Sequence, residues 1–210
     1  MKPKCDNIDM GFTDERFPAG THMCLIYNDE SERKSVIKKF LEAGINAGEK
    51  VLYLVDDCTP EEFKTKLFES VTTTPRAKAD DQLCVKTTED GYCSGGKFDT
   101  QVMINNLRDF YKTSKDDGYK NVRGSGEMMW ATRDIPGSEH LVEYEATLND
   151  FLEDYPLTCI CQYNANHFDG ATIFNILKVH PMMIVHGQIV RNPYYLPPKE
   201  FLANHKPAHG

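Results

Sequence analysis

The chain has 210 residues, of which 40% are hydrophobic, 27% charged and 10% aromatic, which is typical of a globular protein long enough for one well-buried domain. Its formal net charge is −8 and it has no dense basic tract, so we expect no direct binding of nucleic acid. No apolar run approaches the roughly 20 residues that cross a bilayer, and the N-terminus lacks the apolar core of a signal peptide. The seven cysteines lack the spacing of a disulfide framework. We therefore expect a cytoplasmic protein with free thiols and no membrane contact.

Predicted strands and helices alternate along the chain. The strands are apolar runs bounded by turn residues, and the helices have apolar residues at a spacing of 3.6. In chain order we predict strand 22–27, helix 31–48, strand 51–55, helix 59–68, strand 83–87 within a surface loop 71–96, helix 99–111, strand 121–130, helix 138–151, strand 157–163, helix 171–179 and a strand or hairpin 183–190.

This alternation predicts an α/β fold with a mostly parallel central sheet and helices on both faces. Nothing in the sequence marks a second domain or an internal repeat. We divide the chain into an N-terminal extension (1–15), a single domain (16–198) that ends in an extended proline-rich segment, and a tail (199–210) that we expect to fray.

The loop after the first strand occupies the position of a P-loop, G-x-x-x-x-G-K-[ST], but residues 28–35 read NDESERKS. Only Lys34 and Ser35 fit that motif. The glycines that let backbone N–H groups surround phosphates are absent, and three acidic residues would repel a triphosphate. We interpret Lys34-Ser35 as an exposed helix start and expect no ATPase activity.

Two pairs of residues on predicted strands can place polar side chains on one face of the sheet. His22 and Cys24 are two residues apart, as are Cys159 and Cys161, and side chains two apart on a strand share a face. Taken alone, the first pair is best explained by a buried Cys24 and a hydrogen-bonded His22. The Cys-x-Cys spacing is not that of turn-based zinc sites, although soft ligands from different strands can still converge in space.

The predicted strand 121–130 carries charged residues in a run that should be buried. Arg123 and Glu127 must therefore form an ion pair with each other or contact a ligand. Trp130 follows near the carboxyl edge, where open α/β sheets bind ligands. On the next helix, Glu145 is a candidate partner for Arg123 or Arg133.

Several short motifs occur in an order and spacing that resemble one known family. They are GTHMCLIY (20–27), GEKV (48–51), GEMMW (126–130), YE (144–145), CQY (161–163), HP (180–181) and NPYY (192–195). Over roughly residues 16–198 the chain resembles the MEDS domain, a methanogen/methylotroph sensory domain of regulators and sensor kinases. The resemblance implies a RecA-like three-layer sandwich, related to circadian-clock ATPases, that has a degenerate P-loop and binds a small hydrocarbon derivative.

The resemblance also places the family's characteristic histidine and cysteine on His22 and Cys24. If the strand order follows RecA-like proteins, the strand 22–27 lies between the strands 121–130 and 157–163, and Cys24 lies near Cys161. The expected apolar pocket at the carboxyl edge is lined by aromatic side chains. The candidate ligand-binding residues are His22, Cys24, Tyr27, Arg123, Glu127, Trp130, Cys161 and Tyr163.

The leading expectation is a non-catalytic sensory domain for a one-carbon or methylated compound. We find no helix-turn-helix and no kinase or PAS-like extension, so we expect output through a protein partner, namely a sensor kinase or a transcription regulator, or through a homodimer. One alternative is a metal-, corrinoid- or haem-binding redox sensor that uses His22, Cys24 and Cys161. A third is residual nucleotide binding with Glu127 as the activating carboxylate.

Overall fold

The computed structural model describes residues 6–69 and 81–204. It is an α/β structure in which helices cover both faces of a seven-stranded sheet. The strands are β1 (Asn7–Asp9), β2 (Arg16–Pro18), β3 (His22–Tyr27), β4 (Lys50–Val55), β5 (Leu83–Thr87), β6 (Val122–Glu127), β7 (Leu157–Asn164), β8 (Met182–Val185) and β9 (Gln188–Arg191). The α-helices are α1 (Glu30–Asn46), α2 (Pro60–Phe68), α3 (Thr88–Gly91), α4 (Thr100–Asp116), α5 (Leu141–Asp154), α6 (Gly170–Val179) and α7 (Pro198–Asn204).

The main sheet has the order β5-β4-β6-β7-β3-β8-β9, and every pair is parallel except the hairpin of β8 and β9. The expected position of the strand 22–27 is therefore wrong, because β7 pairs with β6 on one side and β3 on the other. Cys161 of β7 still lies opposite Cys24 on β3 and Gly126 on β6. The three central strands thus bring the predicted residues of β3 and β7 to one place.

Two separate cores form on the two faces, because side chains alternate along each strand. One core packs residues of α1 and α2 against one face, and it includes Met23, Leu25 and Tyr27 of β3. The other packs α4, α5 and α6 against the opposite face, and it includes Cys24 and Cys161.

Local sequence signals set the helix starts. Asp29 caps α1, because its carboxylate accepts a hydrogen bond from the Ser31 backbone N–H. Thr59 caps α2 in a capping box with Glu62. Gly48 has φ +72° at the turn from α1 into β4, a conformation that favours glycine.

The predicted strand 121–130 is shorter in the structure. Strand β6 ends at Glu127, and the backbone at Met128 (φ −96°, ψ 8°) leaves the extended conformation. Trp130 therefore lies in a 3₁₀ helix, Met129–Thr132. Of the predicted loop 71–96, residues 71–80 lie outside the described residues, and the rest contains β5 and α3.

Both ends of the described chain pack against the domain. In the predicted N-terminal extension, β1 pairs with β2, and Ile8 and Met10 are buried. In the tail that we expected to fray, α7 forms because Phe201 is buried against the other helices, and residues 205–210 lie outside the described part. The folded region therefore extends beyond 16–198, while the division into a single domain stays a prediction. In the described residues no helix has the length and apolarity that crossing a membrane requires.

Candidate functional site

An internal ion pair lies at the position where a P-loop protein would bind phosphate, in the wall of a cleft of about 400 Å³. Arg33 and Glu127 are each 4% exposed, and Arg33 Nη1 lies 2.9 Å from Glu127 Oε1. The Tyr53 hydroxyl donates to the same oxygen at 2.5 Å, and the Asp56 backbone N–H donates to Oε2 at 2.8 Å. The side chain of Lys34 is 65% exposed. Because Arg33 stands where the motif requires glycine, these residues do not fit a nucleotide.

Arg123 lies at the other end of β6 and does not reach this edge. Its Nε donates to Glu49 Oε2 at 2.5 Å, and its Nη1 and Nη2 donate to the backbone carbonyls of Phe40 and Asp9 at 2.6 and 3.0 Å. The predicted ion pair of Arg123 with Glu127 is therefore wrong. The two residues lie four positions apart on β6, and each has a different partner: Arg123 pairs with Glu49, and Glu127 pairs with Arg33. Arg123 is completely buried and cannot contact a ligand at the carboxyl edge.

The three aromatic residues expected in one pocket are divided between the two faces. Tyr27 lies on the α1 face, where the Arg33 guanidinium sits 5.4 Å from its ring centroid. Trp130 is completely buried on the other face and stacks on Tyr92, with ring centroids 5.1 Å apart. Tyr163 is buried on that second face too. A pocket lined by all three does not form.

Four polar side chains meet on the face covered by α5 and α6, and we call them the His22 cluster: His22 of β3, Glu145 of α5, Cys161 of β7 and His180 after α6. All four are buried, and one potential ligand atom from each lies within 4.8 Å of the others. Glu145 Oε2 is central: it lies 3.2 Å from His22 Nε2, 3.5 Å from His180 Nε2 and 3.5 Å from Cys161 Sγ. Cys161 Sγ also lies 3.5 Å from His22 Nε2.

Neighbouring groups fix the orientation of both imidazoles. Asn149 donates through Nδ2 to backbone carbonyls, including that of Val179 at 2.7 Å, so its Oδ1 faces His22 Nδ1 at 3.0 Å as an acceptor. His180 Nδ1 donates to the Ile176 carbonyl at 2.8 Å. Nδ1 of each histidine therefore carries a proton, and Nε2 of each ring lies toward Glu145.

Burial and mutual contacts shift the pKa values of the His22 cluster. Burial works against a charge on His22, but its hydrogen bonds with Cys161 and Glu145 raise the pKa of His22 to about 10. Burial, reinforced by His22, lowers the pKa of His180 to about 3. Burial alone would raise the pKa of Glu145, but the histidines and the Tyr163 hydroxyl, which donates to Oε1 at 2.5 Å, hold it below its ordinary value. Without another partner, this is a buried imidazolium–carboxylate pair beside a neutral His180.

A small internal cavity of about 30 Å³ borders the same cluster. It lies between the sheet and helices α4 and α5, and Gly124 and Gly126 of β6 leave its floor without side chains. Cys161 borders both the cavity and the His22 cluster. The cavity is lined by Leu52, Leu54, Tyr92, Met103, Leu107, Gly124, Ser125, Gly126, Tyr144, Leu148, Leu157, Cys159, Ile160 and Cys161.

The structure brings together some of the predicted residues and adds others. His22, Cys161 and Tyr163 meet, but the Cys24 thiol faces the Met182 carbonyl at 3.8 Å. Glu145 belongs to this cluster and does not pair with Arg123 or Arg133. The Arg133 guanidinium pairs instead with Asp56, directly after β4, and with Glu89 of α3. His180 was missed as a site residue, and its only sequence signal was the HP motif of the family resemblance.

Comparisons with known proteins identify the family and the fold of this chain. The family model described as "MEthanogen/methylotroph, DcmR Sensory domain" (MEDS) matches residues 21–181. The transcriptional repressor DcmR of Methylorubrum extorquens is 24% identical over 160 residues, which are 76% of this chain and 57% of the repressor. The chain thus spans just over half the length of that relative.

Two solved structures share the fold. A KaiC-like protein of Pyrococcus horikoshii OT3 superimposes with a TM-score of 0.62 at 12% identity, covering 86% of this chain and 80% of that protein. The flagellar accessory protein FlaH of Methanocaldococcus jannaschii gives a TM-score of 0.58 at 15% identity, covering 89% and 84%. These likenesses confirm the predicted RecA-like architecture.

Proposed function

The chain belongs to the MEDS family of sensory domains, and from that premise we propose that it binds a small one-carbon or methylated compound without converting it. The observation that carries this proposal is the cavity of about 30 Å³. About 10–15 Å³ on this measure holds one water molecule, so the cavity has room for a ligand of about two or three heavy atoms.

The wall of the cavity suits a compact molecule with one polar group. Most of its lining is apolar, from leucines of β4, α5 and β7, while the Cys161 thiol supplies a polar atom. Tyr92 and Tyr144 close the side toward the helices. The cavity is too small for a haem or a corrinoid. It therefore gives no support to a redox sensor that binds either group.

The site lacks the machinery of an ATPase. Arg33 and Glu127 form an ion pair with each other at the position where a P-loop would bind phosphate, and the loop has none of the P-loop glycines. This supports a sensory rather than a catalytic role.

We further propose that the ligand signal passes to a protein partner, either a sensor kinase, a transcription regulator or a second copy of this chain. The similarity to a transcriptional repressor supports this output. The six cysteines of the described ranges 6–69 and 81–204 are free, which supports a reducing, cytoplasmic location.

The test is equilibrium binding with the full chain. Methylated amines, methylated thiols, methanol and chlorinated methanes are titrated while the melting temperature and the ligand concentration are followed. We expect one of these classes to raise the melting temperature saturably with no product formed. Absence of any shift across the panel refutes the ligand class, and steady product formation refutes the non-catalytic role.

A further inference from the structure

The His22 cluster has the composition and spacing of a four-coordinate metal centre. We propose that His22 Nε2, His180 Nε2, Glu145 Oε2 and Cys161 Sγ together bind one divalent ion of the zinc class. This ligand set differs from the one suggested by the sequence, since it omits Cys24 and includes Glu145 and His180. It does not rest on the proposed small-molecule ligand, because the four side chains converge whether or not the cavity is filled.

The distances between donor atoms match a tetrahedron around zinc. Zinc lies about 2.0–2.2 Å from nitrogen and oxygen ligands and about 2.3 Å from sulfur, which places neighbouring donor atoms about 3.3–3.7 Å apart. Four of the six separations among these atoms are 3.2, 3.5, 3.5 and 3.5 Å, and the other two are no longer than 4.8 Å. Only small shifts of the side chains are needed to seat an ion at the centre.

One potential ligand atom of the cluster has no hydrogen bond within the described part of the chain. That atom is His180 Nε2, which is buried. Its Nδ1 proton is committed to the Ile176 carbonyl, so Nε2 carries a lone pair that points at the other three groups. Leaving a buried acceptor unsatisfied is costly, and a metal ion at the centre removes that cost.

The groups behind the donors are those that metal sites use. Ligating histidines nearly always donate their second N–H to a carbonyl or carboxylate, as His22 does to Asn149 and His180 does to Ile176. The free oxygen of the carboxylate is held as well, since the Tyr163 hydroxyl donates to Glu145 Oε1 at 2.5 Å. These contacts fix the tautomers and the orientation that coordination requires.

Charge also favours a divalent ion. When the ion binds, Cys161 releases its thiol proton to solvent and coordinates as a thiolate, and the proton on His22 Nε2 is replaced by the ion. One thiolate and one carboxylate then balance the two positive charges, so the buried centre is neutral. Mixed nitrogen, oxygen and sulfur donors in a tetrahedron are typical of zinc.

The experiment measures metal in the purified full chain and in single variants. The protein is prepared without a metal-chelate column, and its metal content is determined by inductively coupled plasma mass spectrometry. We expect about one zinc-class ion per chain, and after exchange with Co²⁺ we expect the visible absorption of a tetrahedral cobalt–thiolate centre. Cys161→Ser and His180→Ala should lose the ion, whereas Cys24→Ala and the exposed His140→Ala should retain it.

Circular dichroism confirms that each variant is folded, and if His180→Ala does not fold, His180→Gln takes its place. Loss of the cobalt–thiolate band in Cys161→Ser, with cobalt still bound at lower affinity, also supports the ligand set. The proposal is overturned if the wild-type chain contains no metal and its melting temperature does not respond to Zn²⁺ or Co²⁺. It is equally overturned if Cys161→Ser and His180→Ala bind the ion as tightly as the wild-type chain and Cys161→Ser keeps the cobalt–thiolate band, or if the ion is lost in Cys24→Ala. Failure of the ligand panel with a metal-loaded chain would count only against the proposed function.

Discussion

The substitution Gly124→Ala should affect the stability of the domain and ligand binding in its cavity in opposite directions. A Cβ added at Gly124 meets its nearest neighbour, Leu157 Cδ2, at 3.5 Å, which is ordinary van der Waals contact. Gly124 borders the cavity, so the new methyl group takes up space that the proposed ligand needs. We therefore expect this variant to fold well and to bind the ligand poorly.

The magnitude follows from burial and backbone entropy. Burying one methyl group contributes about 0.8 kcal/mol, and replacing glycine by alanine in a compatible backbone conformation contributes about 0.4–1 kcal/mol. The free energy of unfolding should rise by about 1–2 kcal/mol, which for a chain of this length raises the melting temperature by roughly 2–4 °C per kcal/mol. Forcing a ligand beside the added methyl costs about 1–3 kcal/mol, so its affinity should fall about tenfold or more.

Gly126→Ala is the matched control, since Gly126 is two residues away on the same face. Here the added Cβ collides with the Tyr92 hydroxyl, which is held in a stack with Trp130. We expect a destabilisation of about 1–3 kcal/mol. Urea denaturation measures both stabilities, and titration with the ligand identified by the panel measures affinity. Unchanged ligand affinity in Gly124→Ala, or a loss of stability in it, would refute the cavity as the binding site.

Three further predictions address the two polar clusters. Arg33→Met leaves Glu127 buried without its cation and should cost about 3–5 kcal/mol at neutral pH. Burial already raises the pKa of Glu127 above its ordinary value, and Arg33 opposes that rise. A carboxyl group whose pKa is raised by folding contributes stability that is lost as the pH increases through that pKa, so the cost measured by urea denaturation should shrink as the pH is lowered. Tyr163→Phe removes the hydrogen bond to Glu145 and should weaken zinc affinity about tenfold in a competition assay with a chromophoric chelator. Lys34→Ala should change neither stability nor ligand binding, since the Lys34 side chain is exposed. Calorimetry should detect no ATP binding to either form, since the P-loop glycines are absent.

Much of the fold follows from patterns that act over short distances. Apolar runs and capping residues predicted β3, β4, β5 and β7 and the hairpin at the end of the sheet, because burial and local hydrogen bonds determine such elements. The strand order required more, since parallel neighbours are joined through crossovers and the same run of elements is compatible with several orders. The end of β6 was missed for a related reason: Trp130 is apolar enough to continue a strand, but packing on Tyr92 places it in a 3₁₀ helix.

The site was predictable only where one strand carried it. The alternation along β3 put His22 on the face of Cys24, and the alternation along β7 put Cys161 on the face of Cys159. In the structure both pairs face the helices α5 and α6, which brings His22 and Cys161 together. Glu145 lies on α5, and His180 directly follows α6. Their distance from His22 depends on how these two helices pack on the sheet. Cys24 faces the same core as His22, yet its thiol contacts the Met182 carbonyl, a detail that strand periodicity cannot supply.

The alternation of side chains along β6 accounts for the separation of the two clusters. Arg123, Ser125 and Glu127 face the helix α1, where Glu127 pairs with Arg33 and closes the edge at which a P-loop protein would bind phosphate. Gly124 and Gly126 face α4 and α5, and their missing side chains leave the cavity beside Cys161. Substitution of Arg33 leaves Glu127 as a buried carboxylate without its cation. It does not create a phosphate site, since the P-loop glycines are still absent. The Arg33–Glu127 ion pair and the proposed small-molecule site therefore lie on opposite faces of one strand, and each can be tested without disturbing the other.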